Sequence, residues 1–496
     1  MGTFGAAGPA GRSMVKGRTS IARSVVFTLA RRWLDRLIGI ISTIILARLL
    51  VPADFGVIAM ATLVLGLVDV FLDLGVNIAL IQRSNPTAEQ YNTAWTLRLI
   101  QTSIATLVVV ATAPLAASYF KDPRVEPVLQ VLGFAFVLSA LENIGVVEFQ
   151  THMRFGEDFR FAFLKRLAGF AATVIAAWVM RSYWALVVGT LAGRAFGVVI
   201  SYFVHPMRPR LTLRASRDIF AVSQWVMVQG IGGFLNQQLH RWVVARRESA
   251  DVLGAYTLAG EICALPQNAL LMPLNRVLFP AFVQVKADPD ELRRIFLLAQ
   301  GVQALVAIPV FVGLALVADE AVRLALGDKW LSVVPFVEWL APFGAMSAIN
   351  TSAGYVLMAL GHFRVMSIFS WVSVAAFVAI VYLVLPGAGA LQIIWVRVML
   401  GTASFLAFLL LVRQTVPHLR DSFAGIGRPL LGAAIMAAAV LAVAWMVKLP
   451  FQWMLLVKML VGAVTYAGAV LLLWLAAGRP DGAEAYLLRK LRARRA

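Results

Sequence analysis

The residues of this sequence that could do chemistry are ionisable side chains inside long apolar runs. Such groups are costly in an apolar helix, and they usually face a cavity or an ionic partner. Arginines outnumber acids among them, and the planar guanidinium binds phosphate or carboxylate through two parallel hydrogen bonds. We therefore expect these arginines to bind an anionic substrate: Arg48, Arg98, Arg194, Arg241, Arg246, Arg276 and Arg397.

Four acidic residues in the same runs are expected to pair with arginine or to carry a coupling cation: Asp35, Asp69, Glu142 and Glu261. Because basic groups outnumber acidic ones there, the sequence predicts a cationic cavity that attracts an anion. Two other interpretations stay open. An arginine near the end of a run can extend its charge to the membrane surface, and an ion pair can be purely structural.

No motif of an enzyme stands out. A phosphate-binding loop of the Walker-A type is absent, which argues against direct use of ATP. The five histidines are scattered, and the single cysteine, Cys263, excludes an internal disulfide and a multi-cysteine metal site. The sequence therefore indicates neither catalysis nor a cofactor, and no metal site is expected.

The composition requires a membrane around these residues. Of the 496 residues, 60% are hydrophobic and 14% are charged, and the formal net charge is +19. Soluble domains are roughly 45–50% apolar and about 25% charged. This composition argues against a soluble enzyme, a disordered protein and a nucleic-acid binder, because so few polar groups could not cover the apolar surface in water.

Apolar segments of the length that crosses a bilayer, about 20 residues, recur along the chain. The segments between them are too short for an independent soluble domain, and each span must be helical because unpaired backbone groups cannot face lipid. The sequence predicts about fourteen spans, near residues 25–50, 54–82, 93–119, 127–149, 160–180, 183–204, 218–242, 252–280, 294–317, 331–360, 365–385, 389–412, 429–447 and 453–477.

Lysine and arginine are distributed unevenly between the loops. The two tails and the even-numbered loops hold about 26 basic residues, whereas the odd-numbered loops hold about 10. One basic cluster comprises Arg154, Arg160, Lys165 and Arg166, which we assign to the cytoplasmic surface. Both termini are therefore predicted to be cytoplasmic, which requires an even number of spans and fits twelve or fourteen.

The chain contains a weak internal repeat. A shift of 198 residues gives eight identities in the 34 positions 47–80, including Gly56 on Gly254 and Asn77 on Asn275, where about three are expected by chance. Later matches at slightly larger shifts relate the fourth and fifth spans to the tenth and eleventh. An even number of spans in each half makes this a parallel repeat, and such two-lobed proteins place a substrate site between the lobes.

These observations predict an all-α polytopic membrane protein of about 14 transmembrane helices. Two pseudo-symmetric six-helix lobes are followed by two C-terminal helices. The predicted parts are a cytoplasmic basic tail (1–24), an N-terminal lobe (25–205), a C-terminal lobe (206–413), two additional helices (414–478) and a second cytoplasmic basic tail (479–496).

The first hairpin carries a family resemblance. The segment 44–60, Ile-Ile-Leu-Ala-Arg-Leu-Leu-Val-Pro-Ala-Asp-Phe-Gly-Val-Ile-Ala-Met, and the later Leu74-Gly75 and 79–83 resemble bacterial polysaccharide flippases. These belong to the multidrug/oligosaccharidyl-lipid/polysaccharide exporter superfamily. Locally, Pro52 and Gly56 are predicted to break the helix after Leu50, and Asp54 to cap the next one.

The resemblance implies a flippase of the bacterial inner membrane. Its cargo would be an undecaprenyl-pyrophosphate-linked oligosaccharide, moved by alternating access for the synthesis of O-antigen, capsule or exopolysaccharide. The implied partners are this anionic lipid-linked oligosaccharide, membrane lipids, and the polysaccharide polymerase and export machinery, with no nucleic acid. The lipid tail would stay in the membrane along the two C-terminal spans.

Two alternatives remain at this point. A cation-coupled drug antiporter of the same superfamily should present mainly acidic residues to its cavity, whereas this chain has more arginine than acid in its spans. A membrane glycosyltransferase or polysaccharide polymerase would use acidic groups in sizeable external loops. The odd-numbered loops here are short and carry no paired-acid motif.

Overall fold

A computed structural model describes residues 34, 37–72, 87–151, 154–214, 223–412 and 419–493. Every regular element in these ranges is helical. The helices in chain order are α1 (Leu37–Leu49), α2 (Pro52–Leu72), α3 (Ala88–Phe120), α4 (Val125–Leu141), α5 (Glu148–Thr151), α6 (Phe155–Met180), α7 (Trp184–Val204), α8 (Ser223–Arg247), α9 (Ala250–Pro266), α10 (Met272–Val285), α11 (Pro289–Leu316), α12 (Ala318–Ala325), α13 (Val334–Ala359), α14 (Phe363–Ala379), α15 (Ala390–Val412), α16 (Leu419–Met446), α17 (Phe451–Ala476) and α18 (Ala483–Ala493).

Within the described ranges, ten helices are long and apolar enough to cross a membrane. Large apolar side chains cover their outer faces, and examples are Leu107, Trp178, Phe203 and Trp445, all mostly exposed to the surroundings of the chain. Helices that are apolar on their outer as well as their inner faces are typical of a membrane environment. The count of fourteen spans and the cytoplasmic placement of both termini stay predictions.

The contacts divide the chain into two compact units. The first comprises residues 1–50 and 57–234, and the second comprises 51–56 and 235–496. The second unit includes α16 and α17, because α16 packs on α11 and α17 packs on α16. The finer division into two six-helix lobes and a separate helix pair stays a prediction.

In the first unit, α6 packs along α7, α3 along α4, and α4 against α7. Small residues bring α6 and α7 together: a Cβ added to Gly189 would lie 2.6 Å from the Cβ of Thr173, and one added to Gly193 would lie 3.1 Å from the Cα of Gly169. Close approach through small residues is common between membrane helices. The close contact between α6 and α7 fixes the face that α7 presents to α4.

In the second unit, α11, α13, α15 and α16 form the centre, and α9 and α10 pack on α13. A buried polar chain connects three of these helices. The side chain of Gln303 donates to Asn275 Oδ1 at 2.9 Å and accepts from the hydroxyl of Ser352. Buried amides of this kind must be hydrogen-bonded, so this chain fixes the register of α10, α11 and α13.

The hairpin between α1 and α2 agrees in part with the sequence expectation. Helix α2 begins at Pro52, and Asp54 Oδ2 accepts a hydrogen bond from the Val51 N–H at 3.1 Å. The prediction that Gly56 breaks a helix was wrong, because Gly56 lies inside α2. It is instead a packing position, since a Cβ added there would lie 2.5 Å from the carbonyl carbon of Ala250 and still closer to its oxygen.

The contact at Gly56 has a reciprocal counterpart. A Cβ added to Gly254 would lie 2.8 Å from the carbonyl carbon of Pro52, again with the oxygen still closer. The shift of 198 residues relates Pro52 to Ala250 and Gly56 to Gly254. The glycine of segment 52–56 therefore contacts the first residue of segment 250–254, and the glycine of segment 250–254 contacts the first residue of segment 52–56. Two reciprocal contacts of this kind are the pattern that a two-fold relation produces. Both segments belong to the second unit.

The final helix, α18, is docked on the second unit. Arg428 Nε of α16 and Glu484 Oε1 of α18 form an ion pair of 3.1 Å, with Glu484 buried. Ala483 packs on Gly301 of α11. The basic C-terminal segment thus begins with a helix held by a buried ion pair.

Candidate functional site

A polar cavity lies within the first unit. It consists of two adjoining spaces of about 700 and 790 Å³ that share several lining residues. Ligand pockets in proteins are typically about 300–1,000 Å³. Its basic lining residues slightly outnumber the acidic ones, and the ionisable set is Asp69, Arg98, Glu142, Asp158, Lys165, Arg166 and Arg194.

Arg194 enters this cavity from the middle of α7. Because α7 is held against α6 and α4, the guanidinium reaches the last turns of α4, where Nη1 donates to the carbonyl oxygen of Ala135 at 3.1 Å. Arg98 lines the same cavity from α3, together with the hydroxyl-bearing residues Thr102 and Thr190. The Thr102 and Thr190 hydroxyls donate to the Arg98 and Leu186 carbonyl oxygens of their own helices, at 2.9 and 2.8 Å. The donors that suit an oxyanion in this cavity are therefore the guanidinium groups.

Glu142 lies directly after α4, at a position that its neighbour fixes. Asn143 is buried, and its backbone N–H donates to the Ser201 hydroxyl at 3.0 Å while Nδ2 donates to the Met207 carbonyl at 2.7 Å. Glu142 forms an ion pair with Lys165 of α6 inside the cavity. This ion pair places the charge of Lys165 in the cavity, and the functional role of Glu142 stays a prediction.

Lys165 was not among the predicted site residues, because its basic cluster was assigned to the membrane surface. Helix α6 begins at Phe155, ten residues earlier. At about 1.5 Å per residue, Lys165 lies roughly 15 Å along α6 from its first residue, and it lines both spaces of the cavity. Had the start of the helix at Phe155 been recognised in the sequence, Arg154 would have been placed before the helix and Lys165 within it.

Two of the predicted residues form a pair in the second unit. Arg241 Nη2 lies 3.9 Å from Glu261 Oε1, a long ion pair in which the glutamate side chain is 67% exposed. The neighbouring His240 is buried, and its Nδ1 lies 2.7 Å from the Tyr256 hydroxyl. The long distance and the exposed carboxylate describe a weak pair, and the functional roles of Arg241 and Glu261 stay predictions.

Arg397 lies in a separate cavity of the second unit. This cavity is about 380 Å³ and is formed by α8, α13, α14 and α15. The guanidinium carbon of Arg397 lies 4.7 Å from the centre of the Phe343 ring. A cation held over an aromatic face is oriented but keeps the edge of its guanidinium for a ligand.

Two further predicted residues that the structure describes, Arg48 and Arg246, line neither cavity. Arg48 lines an apolar groove between α1 and α6 with Trp178, and Arg246 is in the last turn of α8, where a cation is favoured by the helix dipole. Arg276 lies in α10, but its side chain lies outside the described part of the structure, as does all of Asp35. The binding roles of all these residues stay predictions.

Among the described residues, no three His, Cys, Asp or Glu side chains form a cluster that could hold a metal ion. The chemistry that the described site residues offer is anion binding, ion pairing and hydrogen bonding. The structure brings Arg98, Arg194, Asp69 and Glu142 into one cavity and places Arg397 in another. The six predicted arginines whose side chains the structure describes are thus distributed over several places.

Comparisons with known proteins give a consistent result. The sequence profile of a family described as "Polysaccharide biosynthesis protein" matches residues 45–335. An uncharacterised membrane protein of the cps region of Klebsiella pneumoniae is 26% identical over 350 residues, which cover 70% of this chain and 72% of that protein. The lipopolysaccharide biosynthesis protein WzxC of Escherichia coli (strain K12) is 26% identical over 326 residues, covering 65% and 66%.

A solved structure shares the fold. The lipid II flippase MurJ, in an inward closed conformation, superimposes with a TM-score of 0.74 at 12% sequence identity. The match covers 92% of this chain and all of that one. At this identity the likeness concerns the fold alone.

Proposed function

The chain belongs to the polysaccharide biosynthesis protein family, and from this premise we propose that it flips an undecaprenyl-pyrophosphate-linked oligosaccharide across the bacterial inner membrane. It is a multi-pass membrane transport protein of polysaccharide biosynthesis and not an enzyme. Movement would proceed by alternating access, and the oligosaccharide would serve O-antigen, capsule or exopolysaccharide synthesis.

The observation that carries the proposal is the polar cavity of the first unit. Arg98 and Arg194 line it within a bundle of apolar helices. Charged groups inside membrane-spanning segments are expensive, and they usually mark a substrate or ion pathway. A pyrophosphate offers several anionic oxygens to the guanidinium groups, so it fits this cavity better than a neutral solute does.

The ion pair of Lys165 and Glu142 suggests how the cavity accommodates an anion. The glutamate neutralises the lysine in this structure. A bound pyrophosphate would compete for the same ammonium group, so Lys165 would exchange one oxyanion partner for another. Such an exchange keeps the lysine charge paired in both states, which lowers the cost of keeping it inside the protein.

The lipid tail is expected to remain in the bilayer along α16 and α17. Their outer faces carry large exposed apolar side chains, among them Leu431, Trp445, Leu460 and Val464. A polyprenyl chain has no polar group to pair, so it needs only an apolar surface next to the lipid. Both termini are proposed to be cytoplasmic, as the loop charges predict.

The proposal is tested by Arg194→Gln and Arg98→Gln in the native host. Loss of a charged donor to a bound anion should reduce transport by roughly tenfold or more, with surface polysaccharide falling and the lipid-linked precursor accumulating. The matched control is Arg294→Gln, whose side chain is 70% exposed and pairs with Glu291 on the same helix. Normal polysaccharide in both cavity variants, at normal protein level in the membrane, would contradict the cavity assignment.

A second candidate has one observation in its favour. Asp69 and Glu142 line the same cavity as the arginines, and embedded carboxylates could carry a coupling cation for a drug antiporter. Cation-dependent efflux of a lipophilic dye, abolished by Asp69→Asn, would support it. Efflux that does not depend on the protein would leave the flippase as the better explanation.

A further inference from the structure

The cavity of the second unit differs in chemistry from that of the first. Four helices each turn one face towards it, and residues at helical spacing on these faces line it. Each of α13 and α15 contributes one phenylalanine and α14 contributes two, which are Phe343, Phe408, Phe369 and Phe377. Aromatic walls with a few placed polar groups are typical of a site for a small organic ligand.

The charge of this cavity comes from Arg397. No carboxylate lines the cavity, and within the described residues Arg397 makes no ion pair. Its guanidinium is oriented by the ring of Phe343 at 4.7 Å. The planar N–H edge is the partner that a carboxylate binds through two parallel hydrogen bonds.

Polar groups beside Arg397 can serve a hydroxylated ligand. The side-chain oxygen of Asn350 is buried and has no hydrogen-bond partner among the described residues. Asn236 Nδ2 donates to the Ser370 hydroxyl at 3.0 Å, which leaves the hydroxyl hydrogen of Ser370 and the amide oxygen of Asn236 for a ligand. An orphaned buried acceptor costs about 1–3 kcal/mol, so a ligand hydroxyl that satisfies it is favoured.

A glycine keeps the cavity open. Gly401 lies one helical turn after Arg397, and a Cβ added there would lie 2.7 Å from Cε2 of Phe343. Any larger residue would push the ring that orients the guanidinium. The cavity volume of about 380 Å³ suits one or two sugar rings, not a whole oligosaccharide.

We propose that this cavity binds a sugar ring that carries a carboxylate, a uronic acid unit of the transported oligosaccharide. Arg397 binds the carboxylate, Asn350 and the pair of Asn236 and Ser370 bind ring hydroxyls, and the phenylalanines pack against the C–H faces. The inference rests on the proposed function, because it takes the sugar to be part of the cargo. It adds a second recognition point to the anion site of the first unit.

A thiol-protection experiment tests the assignment on the full chain in nanodiscs. The single native cysteine, Cys263, is buried, so an introduced cysteine reports on its own cavity. Ser404→Cys places a thiol in the second unit's cavity, and Ser139→Cys places one in the first. Each is labelled with a water-soluble maleimide in the presence of methyl glucuronide, methyl glucoside or inorganic pyrophosphate, and wild-type protein gives the background.

We expect methyl glucuronide to protect Ser404→Cys at concentrations at least about tenfold lower than methyl glucoside does, because only the glucuronide pairs with the guanidinium. Adding Arg397→Gln should remove this preference and leave weak, equal protection by both sugars. The proposal would be overturned if the two sugars protected Ser404→Cys equally while Arg397 is present, or if pyrophosphate protected it more strongly than methyl glucuronide does. The sugar comparison needs no Arg397 variant, so it holds even if Arg397→Gln fails to fold.

Ser139→Cys separates this inference from the proposed function. Pyrophosphate should protect Ser139→Cys, and methyl glucuronide should not. If pyrophosphate fails there while the glucuronide still protects Ser404→Cys, the anion site of the first unit is wrong and the acidic-sugar site stands. The opposite result leaves the anion site standing and refutes the sugar site.

Discussion

The reciprocal glycine contact gives a sharp prediction about stability. In Gly56→Ala the new Cβ would lie 2.5 Å from the Ala250 carbonyl carbon, whereas ordinary contact begins near 3.4 Å. The nearby carbonyl oxygen lies closer still, so the two segments must separate by more than about 1 Å at a contact between backbone atoms, which no rotamer change can relieve. Overpacking of this kind costs about 1–3 kcal/mol, more than the roughly 0.5–1 kcal/mol that alanine gains over glycine in a helix.

Gly254→Ala should have the same effect, since its Cβ would lie 2.8 Å from the Pro52 carbonyl carbon. The double variant should cost less than the sum of the two, because either change alone already separates the same two segments. The matched control is Gly468→Ala in α17, where nothing lies within 4 Å of the added Cβ. This control should be neutral or slightly stabilising.

The assay is the thermal denaturation of purified full-length protein in one detergent. At roughly 2–4 °C for each kcal/mol in domains of about 150–250 residues, Gly56→Ala should lower Tm by several degrees relative to Gly468→Ala. A Tm for Gly56→Ala equal to that of Gly468→Ala would refute the close contact. Strict additivity in the double variant would refute its reciprocity.

Two further predictions concern ion pairs. Lys165→Gln should lower Tm more than the double variant Lys165→Gln/Glu142→Gln does, because it leaves the Glu142 carboxylate unpaired inside the protein; equal values in the same denaturation assay would contradict this. Burial raises the pKa of the Asp122 carboxyl, but the Arg124 guanidinium and backbone N–H outweigh burial and hold that pKa below its usual range. The resulting stabilisation is present above about pH 4 and is lost as pH falls through the lowered pKa. The Tm difference between wild type and Asp122→Asn should therefore be largest near pH 6 and shrink towards pH 3, and a difference that grows on acidification would contradict it.

The helical content was predictable because a chain of this hydropathy has few other options. A segment of about 20 apolar residues that faces lipid must satisfy the hydrogen bonds of its backbone within one helix, so each long apolar run gives a helix.

The predicted helix ends were less accurate. The third span was placed at 93–119, whereas α3 begins at Ala88, where Thr87 caps the helix by accepting from the Gln90 N–H at 3.3 Å. The Thr-x-x-Gln signal of this capping box is readable in the sequence.

The features that the sequence did not indicate are contacts between distant parts of the chain. Gly56 was assigned a local role as a helix breaker, but its requirement for glycine comes from Ala250, almost two hundred residues away. Lys165 was counted with its basic neighbours, yet its environment depends on Glu142 and on the packing of α6. Residue type and spacing identified Arg98, Arg194 and Arg397 as charged residues inside apolar runs. Only the packing of the helices shows that Arg98 and Arg194 line one cavity and Arg397 another.

The central claim is that the chain flips a lipid-linked oligosaccharide. It is tested most directly in liposomes that contain the purified protein and an undecaprenyl-pyrophosphate-linked oligosaccharide with a bleachable dye on its sugar. An impermeant reductant bleaches only the outer leaflet. We predict that wild-type protein makes the inner pool accessible, that Arg194→Gln slows this by roughly tenfold or more, and that Arg294→Gln does not. Bleaching by wild-type liposomes that stops at the outer-leaflet fraction, as in protein-free liposomes, would contradict the account.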